Sequence, residues 1–456
     1  MSTPNLTAGA ARVDITPPLT IPELGFLPAR HTFFRGVHDP LYARALVVGN
    51  GATRVAMVVA DAIGLKRTLF GDGRDFIAEV RERASALTGL APDHLMVAAT
   101  HAHSTPETMG SRPLTAHPGG LQWLEALADQ LASAVAAADG AREPVRLKQA
   151  VGRADGLSCC RRVFGKGGRI YGYANRPPDD QIADSGQIDP AVTVLHLETA
   201  DGKPGTALVH FTAHPVTVQV NKLISADYPG AAVAHVEDAG IGCERLVFLQ
   251  GACGNINPIR GTSGFDDVAL YGQVLGEETT RLLTLSAAPD YPVASDCVAS
   301  ATVPVALPSR DVPDLADLQR QMAQREHEAL SAATEQQRAA AQAAIYLLQE
   351  HLARAEYGSG PFQTEVQALR VGDTVLVGVP VEPFVELGLA IRALSDRLTC
   401  LCVGYANDYL GYVGPPEAWK QGGYEFGLGT WAYLGPDAYD MLLGASREAV
   451  RLVTAG

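Results

Sequence analysis

The sequence predicts an α/β fold in which mixed β-sheets are covered by helices and the chemistry sits in loops leaving strand ends. Three observations lead there. Apolar runs of strand length alternate with stretches of helical period along the 456 residues. Asn50-Gly51 joins two valine-rich runs, the strongest short-range hairpin signal in the chain. Finally, an apolar run gives way to a polar loop at His101, His214, Asn255, Glu382 and Tyr412. No fixed-period repeat and no shift in composition marks a boundary, so residues 1–456 are read as a single domain with a helical excursion at about 314–357.

Composition sets the class. Apolar residues make up 47% and charged residues 19%, which suits a globular core and argues against disorder. A net charge of −14 opposes any grip on phosphate backbones, so nucleic acid is excluded as a partner. No window reaches ~18 uninterrupted apolar residues. Charges such as Arg54 and Asp61 break each candidate, and no membrane span is expected. The first residues lack the basic and apolar regions of a secretory signal. Seven cysteines without a C-x-x-C pair read as reduced, mostly buried thiols. Both features make the cytoplasm the expected location.

Taken in order, residues 8–14 read as a strand stopped by Pro17-Pro18, and 42–49 with 54–60 form the hairpin. Residues 74–90 place Phe76, Ile77, Val80 and Leu87 at helical spacing up to Gly89, and 121–138 repeat the pattern. Residues 95–99 are a continuous apolar run, the length of a buried strand. Further strands are expected at 146–152, 191–198, 206–212, 245–250, 365–370, 374–379 and 398–404. Helices are expected at 230–238 and 440–453, and a glycine-rich loop at 165–172. Residues 314–357, rich in Ala, Gln and Glu without Pro or Gly, read as one long surface helix or a helical hairpin.

The run 95–99 ends in Thr100-His101-Ala102-His103-Ser104-Thr105-Pro106. Residues two apart in an extended chain project to the same side, so His101 and His103 can converge on one centre. Pro106 prevents the segment from running straight into a helix. Paired imidazoles suit a divalent metal, or a metal plus a proton carrier; a polar cap on a strand end has the same pattern. His214 repeats the form beside Pro215, although single histidines of this kind more commonly sit satisfied in a core. Glu382, between Pro380 and Pro383, is a stiffly held carboxylate, a form that suits a ligand and also a solvated loop. The Gly- and Asn-rich turn 251–258 either aims backbone N–H groups at a ligand or is a plain turn. Residues 405–412 are unusually rich in tyrosine, a residue that most often packs.

Nine segments follow one another in a recognisable order: D-I-T-P-P at Asp14, H-D-P-L-Y-A-R-A at His38, T-H-A-H-S-T-P at Thr100, C-R-R at Cys160, A-H-P-V-T-V at Ala213, I-S-A-D-Y-P-G at Ile224, Q-G-A-C-G-N-I-N-P at Gln250, V-P-V-E-P-F at Val379 and N-D-Y-L-G-Y at Asn407. Over nearly the whole chain they resemble the N-terminal amidohydrolase domain of the neutral ceramidases, zinc-dependent N-acylsphingosine amidases. The resemblance implies that family's α/β fold. It also implies one catalytic Zn²⁺ held by His101, His214, Glu382 and Tyr412, with the phenol a weak fourth ligand. The remaining chemistry falls to His103, Arg161 and Tyr424, the last standing twelve residues beyond Tyr412 as in the family.

Two departures bear on the substrate. The family's secreted members carry a signal peptide and a C-terminal immunoglobulin-like domain, neither of which is read in this sequence. Cys160 also stands before Arg161 where asparagine is usual. The expected reaction is therefore zinc-dependent hydrolysis of a small-molecule secondary amide with an acyl or other lipid-like arm, soluble amides being preferred to ceramide. Two neutral imidazoles and one carboxylate leave Zn²⁺ a net positive charge and an open position, which lowers the pKa of a bound water to about 7. His103 suits the proton acceptor, and Tyr424 or Arg161 the oxyanion donor. A zinc hydrolase of the same scaffold acting on a different amide, lactam or ester would share all these residues. A non-catalytic metal-binding homologue would lack the proton-transfer groups. His235, His327 and His351, in helical stretches, are expected to carry no chemistry.

Overall fold

The computed structural model describes residues 5–455 apart from 24–32, 72, 111–113, 173–175, 200, 201, 203, 204, 220, 260 and 262. Two β-sheets stack face to face, with helices on both outer sides. The larger contains β1 (Leu6–Asp14), β2 (Tyr42–Gly49), β3 (Arg54–Ala60), β4 (Leu95–Ala99), β5 (Glu143–Arg153), β6 (Ala191–Thr199), β7 (Gly205–Phe211) and β8 (Cys243–Gln250). Their order is β8-β7-β6-β5-β1-β2-β3-β4. The smaller sheet runs β9 (Val298–Leu307), β10 (Phe362–Val371), β11 (Thr374–Gly378) and β12 (Thr399–Val403) in that order. Because the large sheet is covered on both faces, its strands alternate between two apolar cores rather than between core and water. In β2, Ala43, Ala45 and Val47 face the helices, while Leu46 and Val48 share a core with Leu369, Leu376 and Leu401 of the smaller sheet.

The outer side of the large sheet is covered by α1 (Phe76–Thr88), α2 (Gly120–Gly140), α3 (Asp227–Asp238) and α4 (Phe265–Ser286), which bury Phe76, Leu131, Tyr228 and Leu282 there. Residues 314–357 form a helical hairpin, α5 (Leu315–Ser331) and α6 (Glu335–Glu356). The break falls where Thr334 and Gln337 close a capping box on α6. The hairpin reaches the core at one end: buried Arg354 donates to the Ser309 hydroxyl and the Tyr433 carbonyl, and Glu350 accepts from the Thr430 hydroxyl. It thereby braces the segment 424–433. On the outer side of the smaller sheet, α7 (Val385–Arg392) contributes Leu387 and Ile391, and α9 (Ala438–Thr454), which follows the short α8 (Pro416–Gln421), contributes Leu442 and Val450. The glycine-rich stretch 165–172 is no open loop but the turn of a small hairpin, Val163–Gly165 against Ile170–Tyr171.

Within these two sheets three strand pairs are parallel, and they decide where the site lies. β3 runs parallel to β4, β7 to β8 and β11 to β12, while the other pairings within these two sheets are antiparallel. Parallel neighbours end at the same edge, so each pair delivers two loops side by side at its carboxyl end, where open sheets hold ligands. The first pair presents Ile63 and His101, the second His214 and Cys253, the third Glu382 and residues 405–412. All seven cysteines are unpaired, and five of them are buried. Among the described residues no helix is long and apolar enough to cross a membrane.

Candidate active site

The three pairs of loops meet at one buried centre. His101 Nε2 lies 3.2 Å from Glu382 Oε2, and His214 Nε2 lies 3.3 Å from the same oxygen. His103 Nε2 is 3.2 Å from His101 Nε2, and ligand atoms of the three histidines fall within 4.8 Å of one another. His101 reaches this position through a backbone turn with φ of +67°, and Tyr405 and Asn407 on the facing loop share that left-handed region at +58° and +62°. Non-glycine residues adopt it rarely, and such strain concentrates at functional sites, where surrounding contacts enforce it.

Backbone carbonyls set the direction of two imidazoles. His101 Nδ1 is 2.5 Å from the Ile63 carbonyl; His214 Nδ1 is 2.5 Å from that of Cys253 and 3.2 Å from that of Ile256. A carbonyl only accepts, so each Nδ1 carries the proton and each Nε2 presents a lone pair to Glu382. The Tyr405 ring stacks on His101 at 3.9 Å and 15°, which fixes the imidazole plane. Glu382 Oε1 accepts from the Tyr409 hydroxyl, leaving Oε2 to face the histidines. Three acceptors therefore aim at one volume, and neither His214 Nε2 nor Glu382 Oε2 completes a hydrogen bond among the described residues. Each buried acceptor left in that state costs about 1–3 kcal/mol. A divalent cation would satisfy all three at once, and imidazole with carboxylate is a donor set such a cation accepts.

Protonation is consistent with that use. Burial pushes the His214 imidazole down to about 4 and that of His103 well below its usual range, with His101 and His214 adding to the effect on His103. Burial alone would raise the Glu382 carboxyl; positive charge on the neighbouring His101 and His214 outweighs burial and holds it well below the ordinary carboxylate range, a charge that a bound cation would supply when both rings are neutral. Neutral imidazoles around an ionised carboxylate are the state that metal binding requires.

Tyr412, Arg161 and Tyr424 line one side of this centre. The Tyr412 ring lies 6.5 Å from that of His214, and the Arg161 guanidinium 5.1 Å from the Tyr412 ring. Arg161 Nε donates to Glu425 Oε1 at 2.9 Å and Arg162 Nη1 to Glu425 Oε2 at 2.7 Å, so one buried carboxylate holds two consecutive guanidiniums. Arg161 Nη2 is left buried and without an acceptor among the described residues. Tyr424 is 54% exposed, stacks on Trp431 at 5.0 Å and 21°, and sits 6.0 Å from the Tyr412 ring, at the rim.

The turn 251–258 braces the centre. The N–H groups of Gly251, Cys253, Gly254 and Ile256 donate to the carbonyls of Phe211, Gly251, Pro383 and Cys253, and Asn255 Oδ1 accepts from the Val385 N–H at 2.8 Å. It ties the His214 loop to the Glu382 loop. Sequence reasoning does not single out Tyr405, Tyr409 or Glu425. The tyrosine-rich run signals the first two, whereas nothing marks Glu425 beyond its place beside Tyr424.

Fold and site together define an α/β protein with a buried histidine–carboxylate centre at the carboxyl ends of its parallel strands. The profile of the neutral/alkaline non-lysosomal ceramidase family, N-terminal domain, matches residues 6–253, and the chain belongs to that family. It is 39% identical over 83 residues to the neutral ceramidase of Mycobacterium tuberculosis, a stretch covering 16% of this chain and 13% of that relative. Its fold is similar to the crystal structure of neutral ceramidase from Pseudomonas aeruginosa, with a TM-score of 0.72 and 21% identity over 100% of this chain and 75% of the other. A solved ceramidase complexed with C2 compares at a TM-score of 0.73 and 20% identity, over 100% of this chain and 76% of that one. The mixed α/β architecture expected from the sequence is the one found.

Proposed function

We propose that the protein is a zinc-dependent amidohydrolase that cleaves the C–N bond of a secondary amide carrying an apolar, lipid-like arm. The carrying observation is the aim of His101 Nε2 and His214 Nε2 at one Glu382 oxygen, each ring locked through its other nitrogen to a carbonyl. Family membership supports an amide as the bond attacked. In this reading His101, His214 and Glu382 hold Zn²⁺, with Tyr412 as a weak fourth ligand. Zinc, when bound, would polarise the amide carbonyl and bring the pKa of a water to about 7.

The chain's own groups supply the rest. His103, kept neutral by burial, accepts the proton that the water gives up and returns it to the leaving amine. Arg161 Nη2, oriented through Glu425 and lacking an acceptor, offsets the charge developing on the carbonyl oxygen. Tyr424 is the second donor, and its stack with Trp431 offers the apolar arm an aromatic surface at the rim. Water adds across the bond, so the products are a carboxylic acid and an amine.

Zinc content and turnover, measured on the same preparations over N-acyl amides graded from acetyl to long-chain and including ceramide, test this. The expected result is one zinc per chain, with turnover that falls on chelation and returns with zinc. Full activity in metal-stripped protein, or no hydrolysis anywhere in the series, would sink the proposal. A second reading makes His103 a ligand, favoured by its 3.2 Å approach to His101 Nε2. His103→Ala separates the two: retained zinc with turnover reduced by about 10² to 10⁴ marks a proton carrier, and lost zinc marks a ligand.

A further inference from the structure

Resting on the metal centre proposed above, we infer that Tyr409 is its positioning residue: the phenol occupies one oxygen of Glu382 and thereby makes the carboxylate a one-oxygen ligand. Tyr409 is fully buried, and its hydroxyl donates to Glu382 Oε1. The other oxygen, Oε2, is the atom that stands 3.2 Å and 3.3 Å from the two histidine nitrogens. A carboxylate free to rotate about its last bond can chelate a cation with both oxygens or turn its lone pairs away. With Oε1 engaged, one oxygen remains for the metal.

The ring that does this is itself fixed from two of the three loop pairs. Gly64 follows Ile63, whose carbonyl orients His101, and a Cβ at Gly64 would come within 3.0 Å of Tyr409 Cδ2. The glycine therefore lets the phenol lie against the very backbone that aims the first histidine. On its own loop, the Tyr409 N–H donates to the Asp408 carboxylate at 2.8 Å, which also accepts from the Arg67 N–H at 3.1 Å. The next residue, Leu410, donates its N–H to the Pro380 carbonyl on the strand exit that carries Glu382. Tyr409 thus reads the position of the His101 loop and transmits it to the carboxylate. It acts through Glu382.

Competitive zinc titration against a chromophoric chelator, on the full chain stripped of metal, tests the assignment without recourse to turnover. Tyr409→Phe keeps the ring and frees Oε1; its zinc affinity should fall about 10- to 100-fold, the usual effect of losing an outer partner of a ligand. Tyr291→Phe is the control, since its part-buried hydroxyl donates to the Gln149 carbonyl and touches none of the loops that carry the centre; it should bind zinc like the wild type. Tyr409→Phe with wild-type affinity overturns the inference. So does an equal loss in Tyr291→Phe, which would mark a general effect of removing a phenol hydroxyl. Should Tyr409→Phe not fold, the infrared difference spectrum of wild type on zinc binding decides. Widely split carboxylate stretches indicate one-oxygen ligation, and the narrow splitting of a chelating carboxylate overturns it. Wild type that binds no zinc overturns the metal centre itself, an outcome distinct from all of these.

Discussion

Glu382 and Tyr412 are register partners in a two-residue parallel ladder, Glu382–Pro383 beside Tyr412–Val413. Partners in such a ladder project to the same face, so one strand pair presents the carboxylate and the phenol together while the two histidines arrive from the other pairs. Glu382 should therefore be indispensable and Tyr412 auxiliary. Glu382→Gln is expected to lose zinc on gel filtration, and Tyr412→Phe to keep it with weakened affinity. Zinc at 100 times its Kd adds about 2.7 kcal/mol to stability. Chelation should accordingly lower the Tm of wild type and leave that of Glu382→Gln unchanged; equal shifts in both would remove Glu382 from the ligand set.

Glu425 joins Arg161 to Arg162, and its removal leaves two buried guanidiniums without their shared ion-pair partner. Glu425→Gln is expected to destabilise the chain by about 3 kcal/mol in denaturant unfolding. It should also reduce kcat/KM by about 10², the typical effect of misplacing an oxyanion donor, while zinc stays bound. Unchanged turnover in a folded variant would show that Arg161 is not such a donor.

Elements built from local signals were legible in the sequence, and those built from tertiary fit were not. Residues 42–49 and 54–60 are read and found with the same bounds, because Asn50-Gly51 and unbroken apolar runs determine them locally. The helix Phe265–Ser286 is not assigned from sequence. Its Gly272 and Gly276 lower helical propensity, yet they are what α3 requires: Cβ atoms there would come within 2.4 Å of Ala231 Cβ and 2.6 Å of His235 Cδ2. The strand Val298–Leu307 is also missed, since Pro304 argues against a central strand; it lies at a sheet edge, where proline is tolerated. At the site, His101 stands out through its pairing with His103, and His214 and Glu382 as side chains beside prolines, whereas the groups that aim the two histidines are the carbonyls of Ile63 and Cys253. Backbone oxygens leave no side-chain pattern to read.

His196 lies far from this chemistry and titrates against burial. Its Nδ1–H meets the Ser286 hydroxyl at 2.7 Å, and Nε2 has no partner among the described residues. Burial lowers its pKa from 6.5 to about 4. Between those values the unfolded chain binds the proton and the folded chain does not, so stability is full above pH 6.5 and is lost as pH falls toward 4. The displacement corresponds to about 3 kcal/mol. In urea unfolding of His196→Asn, the decline from pH 7 to 4.5 should be shallower than in wild type, and parallel curves would count against this assignment.

Gly254 tests whether the turn 251–258 positions the centre. It needs glycine for space: a Cβ would stand 2.8 Å from the Glu382 carbonyl oxygen, 2.9 Å from that of Pro383 and 3.0 Å from Phe384 Cδ1. Two of these are backbone atoms that cannot swing aside, and the Gly254 N–H is already bonded to the Pro383 carbonyl at 2.7 Å. Gly254→Ala must therefore push the Glu382 loop away from the Cys253 carbonyl that orients His214, at a cost of about 1–3 kcal/mol for overpacking. Because carboxylate and imidazole then part, zinc affinity should fall together with the Tm. Gly167→Ala, at a position open to solvent, should change neither. A Gly254→Ala protein that lost stability yet bound zinc as tightly as wild type would show that the turn supports the fold without setting the geometry of the site.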